Sequence, residues 1–242
     1  VLITVSALIQ KNIPLENYPK SVKKITLGTK LNLSTFVKNA LDSGYRRAGN
    51  VMDVGEIAVR GGIVDIYSPS YNKPVRIDFF GDEVEDLKFF DPLTQLTNDL
   101  VKEITILPIS EVLLNDINIS TFKNNYRKNF GNISTNDELF QSISEGIRYP
   151  GLEHWLSFFY PKLESIFDIL DNHHFFVLDS AFDDFCNMRF DDINDYFNTR
   201  NISYLEAVKN KKIVDCYKPI DSIELYLNKD ELYNYISKVP SI

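Results

Sequence analysis

Arg60, Arg76 and Phe80 carry the side chains of this sequence best suited to gripping another protein. A guanidinium presents a planar fork of N–H donors that matches a carboxylate, and a phenyl ring left outside a core is an apolar anchor. All three lie between Gly55 and Asp91, in GEIAVRGGIVDIYSPSYNKPVRIDFFGDEVEDLKFFD, where charged and apolar residues alternate. Side chains two apart in a strand share a face, so Glu56, Ala58 and Arg60 point one way while Ile57 and Val59 point the other. In the next strand Val75, Ile77 and Phe79 line one side, and Arg76, Asp78 and Phe80 the opposite one. One side is built for a core. The other holds two arginines, two acids and a phenylalanine, a mixture that suits a recognition surface better than a purely solvated face. The same residues admit a plainer arrangement, with Arg60 and Arg76 paired across strands to Glu56 and Asp78, each exposed pair worth about 0 to 1 kcal/mol.

Other chemistry finds less support. A phosphate loop needs a glycine-rich turn ending in Gly-Lys-Ser or Gly-Lys-Thr at a helix start, so that bare N–H groups and the lysine reach the phosphates together. Gly28-Thr29-Lys30 has those letters in the wrong order and reads as a surface turn. Gly61-Gly62 sits between two strands, where a bulge or sharp bend is expected. Phe175 to Leu178 followed by Asp179 has the form of a strand delivering a carboxylate to a metal, but Ser180 and Ala181 follow where a second acid would activate water. Asp179 then reads as a helix cap or surface carboxylate. His154, His173 and His174 lack ligand spacing, and no nucleophile-elbow pattern supports a triad. No catalytic residue, metal ligand or cofactor site is assigned, and the chain is expected not to be an enzyme by itself.

The 242 residues, 44% of them apolar, suffice for two modest soluble domains or one large one. A net charge of -8 argues against non-specific nucleic-acid binding, which profits from a basic footprint. Cys186 and Cys216 form neither a metal motif nor a disulfide framework; a reducing cytoplasm is the expected setting. No apolar run approaches the roughly 18 residues of a membrane span. Val1 to Val5 reads as a strand and Ser6 to Lys11 as a short helix, an opening expected of a piece of a longer chain. Ile25 to Leu27 is a strand, and Asn32 caps a helix bearing Leu33, Phe36, Val37, Ala40 and Leu41, closed by Gly44. The β-ribbon runs from about Tyr45 to Pro108 and ends in a strand over Glu103 to Leu107. Beyond Ile109 the pattern predicts helices over 116–130, 136–145, 153–159 and 181–199, with strands at 174–178 and 223–227. That half reads as α/β with a parallel sheet. Phe182-Asp183-Asp184-Phe185 and Phe190-Asp191-Asp192-Ile193 read as core aromatics beside a solvated acidic face.

GEIAVRGGIVDIYSP, PVRIDFFGDEVEDLKFFDPLTQ and, further on, EGIRYPGLEHWLSFFYPKLESIFDIL resemble, in the same order, the UvrB-homology region of the transcription-repair coupling factors (Mfd), and more distantly UvrB. The resemblance implies a mixed α/β and α+β fold, in which a small antiparallel-sheet domain is inserted in a degenerate helicase-like (RecA-type) α/β domain. The implied parts are the end of domain 1a (1–21), a UvrA-binding domain 2 (22–108) and domain 1b (109–242). It further implies that the family's UvrA contacts fall on Arg60, Arg76 and Phe80. ATP and magnesium belong to the family's motor, and RNA polymerase and DNA to domains outside this chain. Intramolecular masking of the sheet by another domain is compatible with the same residues. The alternative of another class is a UvrB-like damaged-DNA-binding helicase fragment with ATP-dependent activity.

Overall fold

A computed structural model describes residues 2–131, 133, 136–170, 177–210 and 216–238. In chain order the regular elements are α1 (Val5–Ile9), α2 (Tyr18–Ser21), β1 (Lys23–Thr26), α3 (Leu33–Asp42), β2 (Arg46–Arg47), β3 (Glu56–Arg60), β4 (Ile63–Ile66) and β5 (Val75–Phe80). They continue with β6 (Glu83–Phe90), β7 (Thr97–Leu100), β8 (Glu103–Ile106), α4 (Asp116–Phe130), α5 (Glu138–Ser144), α6 (Ile166–Ile169), α7 (Phe182–Lys209) and α8 (Lys229–Ser237). The fold is mixed helix and strand. One compact unit comprises Glu16–Ile119 with Gly146–Arg148; the other comprises Val1–Leu15, Ser120–Glu145 and Tyr149–Ile242.

The first unit holds a six-stranded sheet of order β2-β3-β4-β5-β6-β7 and a separate antiparallel ribbon of β1 and β8. Pairing in the sheet is antiparallel except between β2 and β3. Alternation sends Ile57, Val64, Ile66, Val75, Ile77, Val84 and Leu87 to one face, where they are buried with Phe36, Val37 and Ala40 of α3 and with Ile25, Ile104 and Ile106 of the ribbon. Burying each such side chain contributes about 1.5–3 kcal/mol, so this layer holds the unit together. Asn32 caps α3 as expected, its side chain accepting from the Thr35 N–H at 3.0 Å. The unit extends to Ile119 because the backbone beyond the ribbon stays bonded to the end of α3. Ile109 and Leu114 donate to the Ser43 and Asp42 carbonyls at 2.9 Å.

Two tight turns shape the six-stranded sheet. Arg60 pairs with Ile63 across Gly61-Gly62, and Phe80 with Glu83 across Gly81-Asp82, so each is a two-residue hairpin loop. Gly61 and Gly81 take φ of 59° and 61°. Gly62 is needed for space: a Cβ there would meet the Phe79 carbonyl oxygen at 2.8 Å. Its own carbonyl accepts from the Phe79 N–H, also at 2.8 Å.

The second unit departs from the sequence reading. Thr4 caps α1 at Val5, and Leu2 is fully exposed, so no strand forms over residues 2–5. The parallel sheet expected beyond Ile109 is absent among the described residues, which show helices and two isolated antiparallel bridges, Gln10 to Tyr226 and Asn12 to Glu164. The strand at 174–178 lies largely outside the described residues; Val177 and Leu178 belong to no regular element. Asp221 accepts from the Ile223 N–H and turns 222–224 into a 3-10 helix instead of a strand. Leu152–Phe158 is likewise 3-10, α7 runs on to Lys209, and α8, which the sequence reading lacked, starts at an Asn228–Glu231 capping box. Leu8, Ile9, Cys186, Ile193, Leu227 and Leu232 form one buried cluster of this unit.

Gly62→Ala is expected to destabilise the chain by about 1–3 kcal/mol, as overpacking does. Urea denaturation measures the loss, and faster hydrogen exchange at the Phe79 amide localises it.

Candidate interaction face

Opposite the core face, the sheet divides into a covered end and a bare one. At the covered end Val51, Ala58 and Phe90 are buried together, with Tyr67 against them. Ala58 is therefore not part of an open surface, although it shares a face with Arg60. The covering loops are locked to each other. The Gln95 side-chain amide donates to the carbonyls of Val51 and Pro92 at 3.3 and 2.6 Å, with Gln95 itself at a φ of 60°. At the bare end stand the two hairpin tips, side by side because β4 and β5 pair with Ile63 opposite Asp78. Phe80, the last residue of β5, is 78% exposed there, and Ile63 is 38% exposed.

Arg60, at the end of β3, keeps 48% of its side chain exposed. Its Nη2 donates to Asn50 Oδ1 at 2.9 Å and to the Gly49 carbonyl at 3.3 Å, and lies 3.5 Å from Asp65 Oδ2. Arg76, one row further in, is only 19% exposed. Its Nε and Nη2 reach Asp65 Oδ1 and Oδ2 at 2.7 and 2.9 Å, a fork-to-fork pair. Its guanidinium carbon stands 4.8 Å from the Phe90 ring centre, and Nη1 is 3.5 Å from the Gln95 carbonyl. The hydrogen-bonded Asp65 carboxylate holds the Arg76 guanidinium above its ordinary pKa.

The structure thus brings Arg60, Arg76 and Phe80 to one face, but pairs the arginines differently from the plain cross-strand arrangement. Both converge on Asp65, which is 2% exposed and lies directly between Ala58 and Arg76 in register. Glu56 instead turns to the loop, accepting the Met52 and Asp53 N–H groups at 2.9 and 3.0 Å. Asp78 pairs with Lys88 at 3.3 Å, and Lys88 with Asp86 at 2.5 Å. Asp65 escaped the sequence reading; the signal for it was an acid inside the apolar run Ile63-Val64-Asp65-Ile66.

Elsewhere, Asp179 accepts from the Ala181 N–H at 2.9 Å just before α7, a turn role. Thr29 donates to the Thr26 carbonyl at 3.1 Å, closing the turn that contains Gly28. His173 and His174 lie outside the described residues. Among the described residues no three of His, Cys, Asp and Glu come together as metal ligands, and no helix is long and apolar enough to cross a membrane.

Asp65→Ala is expected to lose about 3 kcal/mol in urea denaturation, the low end for breaking a buried ion pair, because Arg76 is not fully enclosed. Phe80→Ser, at an exposed tip, is expected to stay within about 0.5 kcal/mol of the unaltered chain. The two backbone N–H groups, Met52 first, lower the Glu56 pKa in the folded chain. A depressed carboxylate pKa adds stability above its unfolded value of about 4.3, lost as pH falls through the folded value. The Met52 amide resonance is therefore expected to titrate below pH 4.3, and to lose that titration in Glu56→Gln.

The segment that carries this face matches a known family. The family model for the UvrB interaction domain matches residues 24–111, which contain the whole sheet. The transcription-repair-coupling factor of Haemophilus influenzae is 31% identical over 245 aligned residues, covering 100% of this chain and 20% of the relative. That of Rickettsia bellii is 36% identical over 165 residues, 68% of this chain and 15% of the relative. The Escherichia coli factor is 31% identical over 166 residues, 67% of this chain and 14% of the relative. The chain thus spans at most about a fifth of the length of these relatives. Residues 24–111 are a UvrB interaction domain, set in a chain homologous along its whole length to the transcription-repair-coupling factors.

Proposed function

We propose that this chain is the UvrA-recruiting part of a transcription-repair coupling factor, and that UvrA docks on the bare end of the sheet. The observation that carries the reading is Phe80, 78% exposed at a hairpin tip on the sheet face that also carries Arg60, within the UvrB interaction domain. A large ring held out on a tight turn loses little freedom on binding, and an arginine on the same face supplies directed donors; both residue types recur among the few that dominate interfaces. Residues 1–21, 22–108 and 109–242 serve in this reading as the end of domain 1a, domain 2 and domain 1b. No ATP or magnesium is needed for the docking step. In the whole protein, displacement of stalled RNA polymerase and ATP-driven movement on DNA fall to sequence outside this chain. Another domain of the whole protein competes for the same surface where the sheet is masked.

Titration of the purified chain with UvrA tests the proposal without nucleotide. Phe80→Ala and Arg60→Ala are each expected to weaken binding at least tenfold while leaving the circular dichroism spectrum unchanged. Unchanged affinity in both variants removes the face from the interface.

A further inference from the structure

Resting on that docking surface, we propose that Asp65 is its positioning residue. With Arg76 as its fixed counter-ion, Asp65 orients Arg60 toward the partner, which offers a carboxylate and an apolar socket for Phe80.

The inventory of guanidinium donors carries this assignment. Every nitrogen of Arg76 is engaged: Nε and Nη2 with Asp65, Nη1 near the Gln95 carbonyl, and one face of the plane against Phe90. Two of its five N–H donors, one on each Nη, are left over, on a side chain that is only 19% exposed. Arg60 is the reverse case. Nη2 donates to Asn50 and Gly49 and is ion-paired with Asp65 at 3.5 Å, whereas Nε and Nη1 have no acceptor among the described residues and the side chain is 48% exposed. The tethered nitrogen sets the plane of the fork, and the free ones remain for a carboxylate. A guanidinium on a flexible stem loses rotamer freedom when it binds; one already held at Nη2 loses less, so part of the ordering cost precedes docking.

The opposing expectation is electrostatic. If the face attracted an acidic partner through net charge alone, removing the Asp65 charge would tighten binding. Positioning demands the opposite sign.

The experiment compares Asp65→Asn, Arg76→Ala, their double variant and Asn50→Ala with the unaltered chain. UvrA titration and nuclear magnetic resonance of the arginine side chains, which reports hindered rotation at Nη, are the two readouts. Asn50 is exposed, so its variant keeps the test open should Asp65→Asn fail to fold. Expected are at least tenfold weaker UvrA binding in Asp65→Asn, about threefold in Asn50→Ala, and loss of hindered rotation at Arg60 in both. In the Asp65→Asn background, Arg76→Ala is expected to cost no further affinity. Tighter binding by Asp65→Asn, unchanged Arg60 rotation in either variant, or additive losses for Asp65 and Arg76 overturn the proposal. Failure of the unaltered chain to bind UvrA sinks the choice of partner, and Arg60 rotation then decides the positioning role by itself.

Discussion

A single buried carboxylate organises the side of this sheet that faces away from the core. Asp65 sits on a central strand with 2% of its surface exposed, where an unpartnered charge would cost several kcal/mol. It is tolerable only because Arg76 meets both oxygens and the adjacent Phe90 ring shields the guanidinium. That requirement draws Arg76 inward and leaves the neighbouring row to supply whatever faces outward. The core side of the same strands makes the arrangement rigid: Val64 and Ile66 flank Asp65 in sequence, point the other way, and are fully buried. Asp65 cannot move without disturbing them.

Rigidity then divides the open face along its length. The loops around Val51 and Gln95 close over Ala58 and Phe90, using apolar contact and the hydrogen bonds of Gln95 and Glu56. They stop short of the hairpin tips. What remains bare is short, held by two-residue turns, and fixed to a sheet of six strands. A surface of that kind presents its groups in one geometry before any partner arrives, which is the condition for a small number of side chains to yield useful affinity.

Alternation made half of this legible in the sequence. It sorted Ile57, Val59, Val75, Ile77 and Phe79 from Arg60, Arg76 and Phe80, because a pleated strand has a strict period of two. Alternation is silent on which residues lie opposite each other. That depends on turn lengths and on the excursion between Ile66 and Val75, and it is register that puts Asp65 between Ala58 and Arg76. Glu56 and Asp78 were plausible counter-ions by sequence distance alone; register gives Asp78 to Lys88, and the loop takes Glu56. In the other unit the short apolar runs at 1–5 and 223–227 lacked such support. Runs of that length fit a strand or a helical turn equally well, and the capping side chains of Thr4 and Asp221 decide them.

The charge around the site constrains what it can recognise. The chain carries a net charge of -8, and Asp82, Glu83 and Glu85 are exposed next to Phe80. An acidic partner is therefore not drawn in from a distance, since repulsion acts beyond a Debye length of about 8 Å only weakly but opposes close approach. Attraction has to come at contact, from directed hydrogen bonds at Arg60 and from burying the Phe80 ring. Both are sensitive to geometry over fractions of an ångström, whereas a general electrostatic field is not. In the proposed docking, misplaced carboxylates meet the acidic fringe instead of the guanidinium and are rejected, so the fringe trades association rate for selectivity.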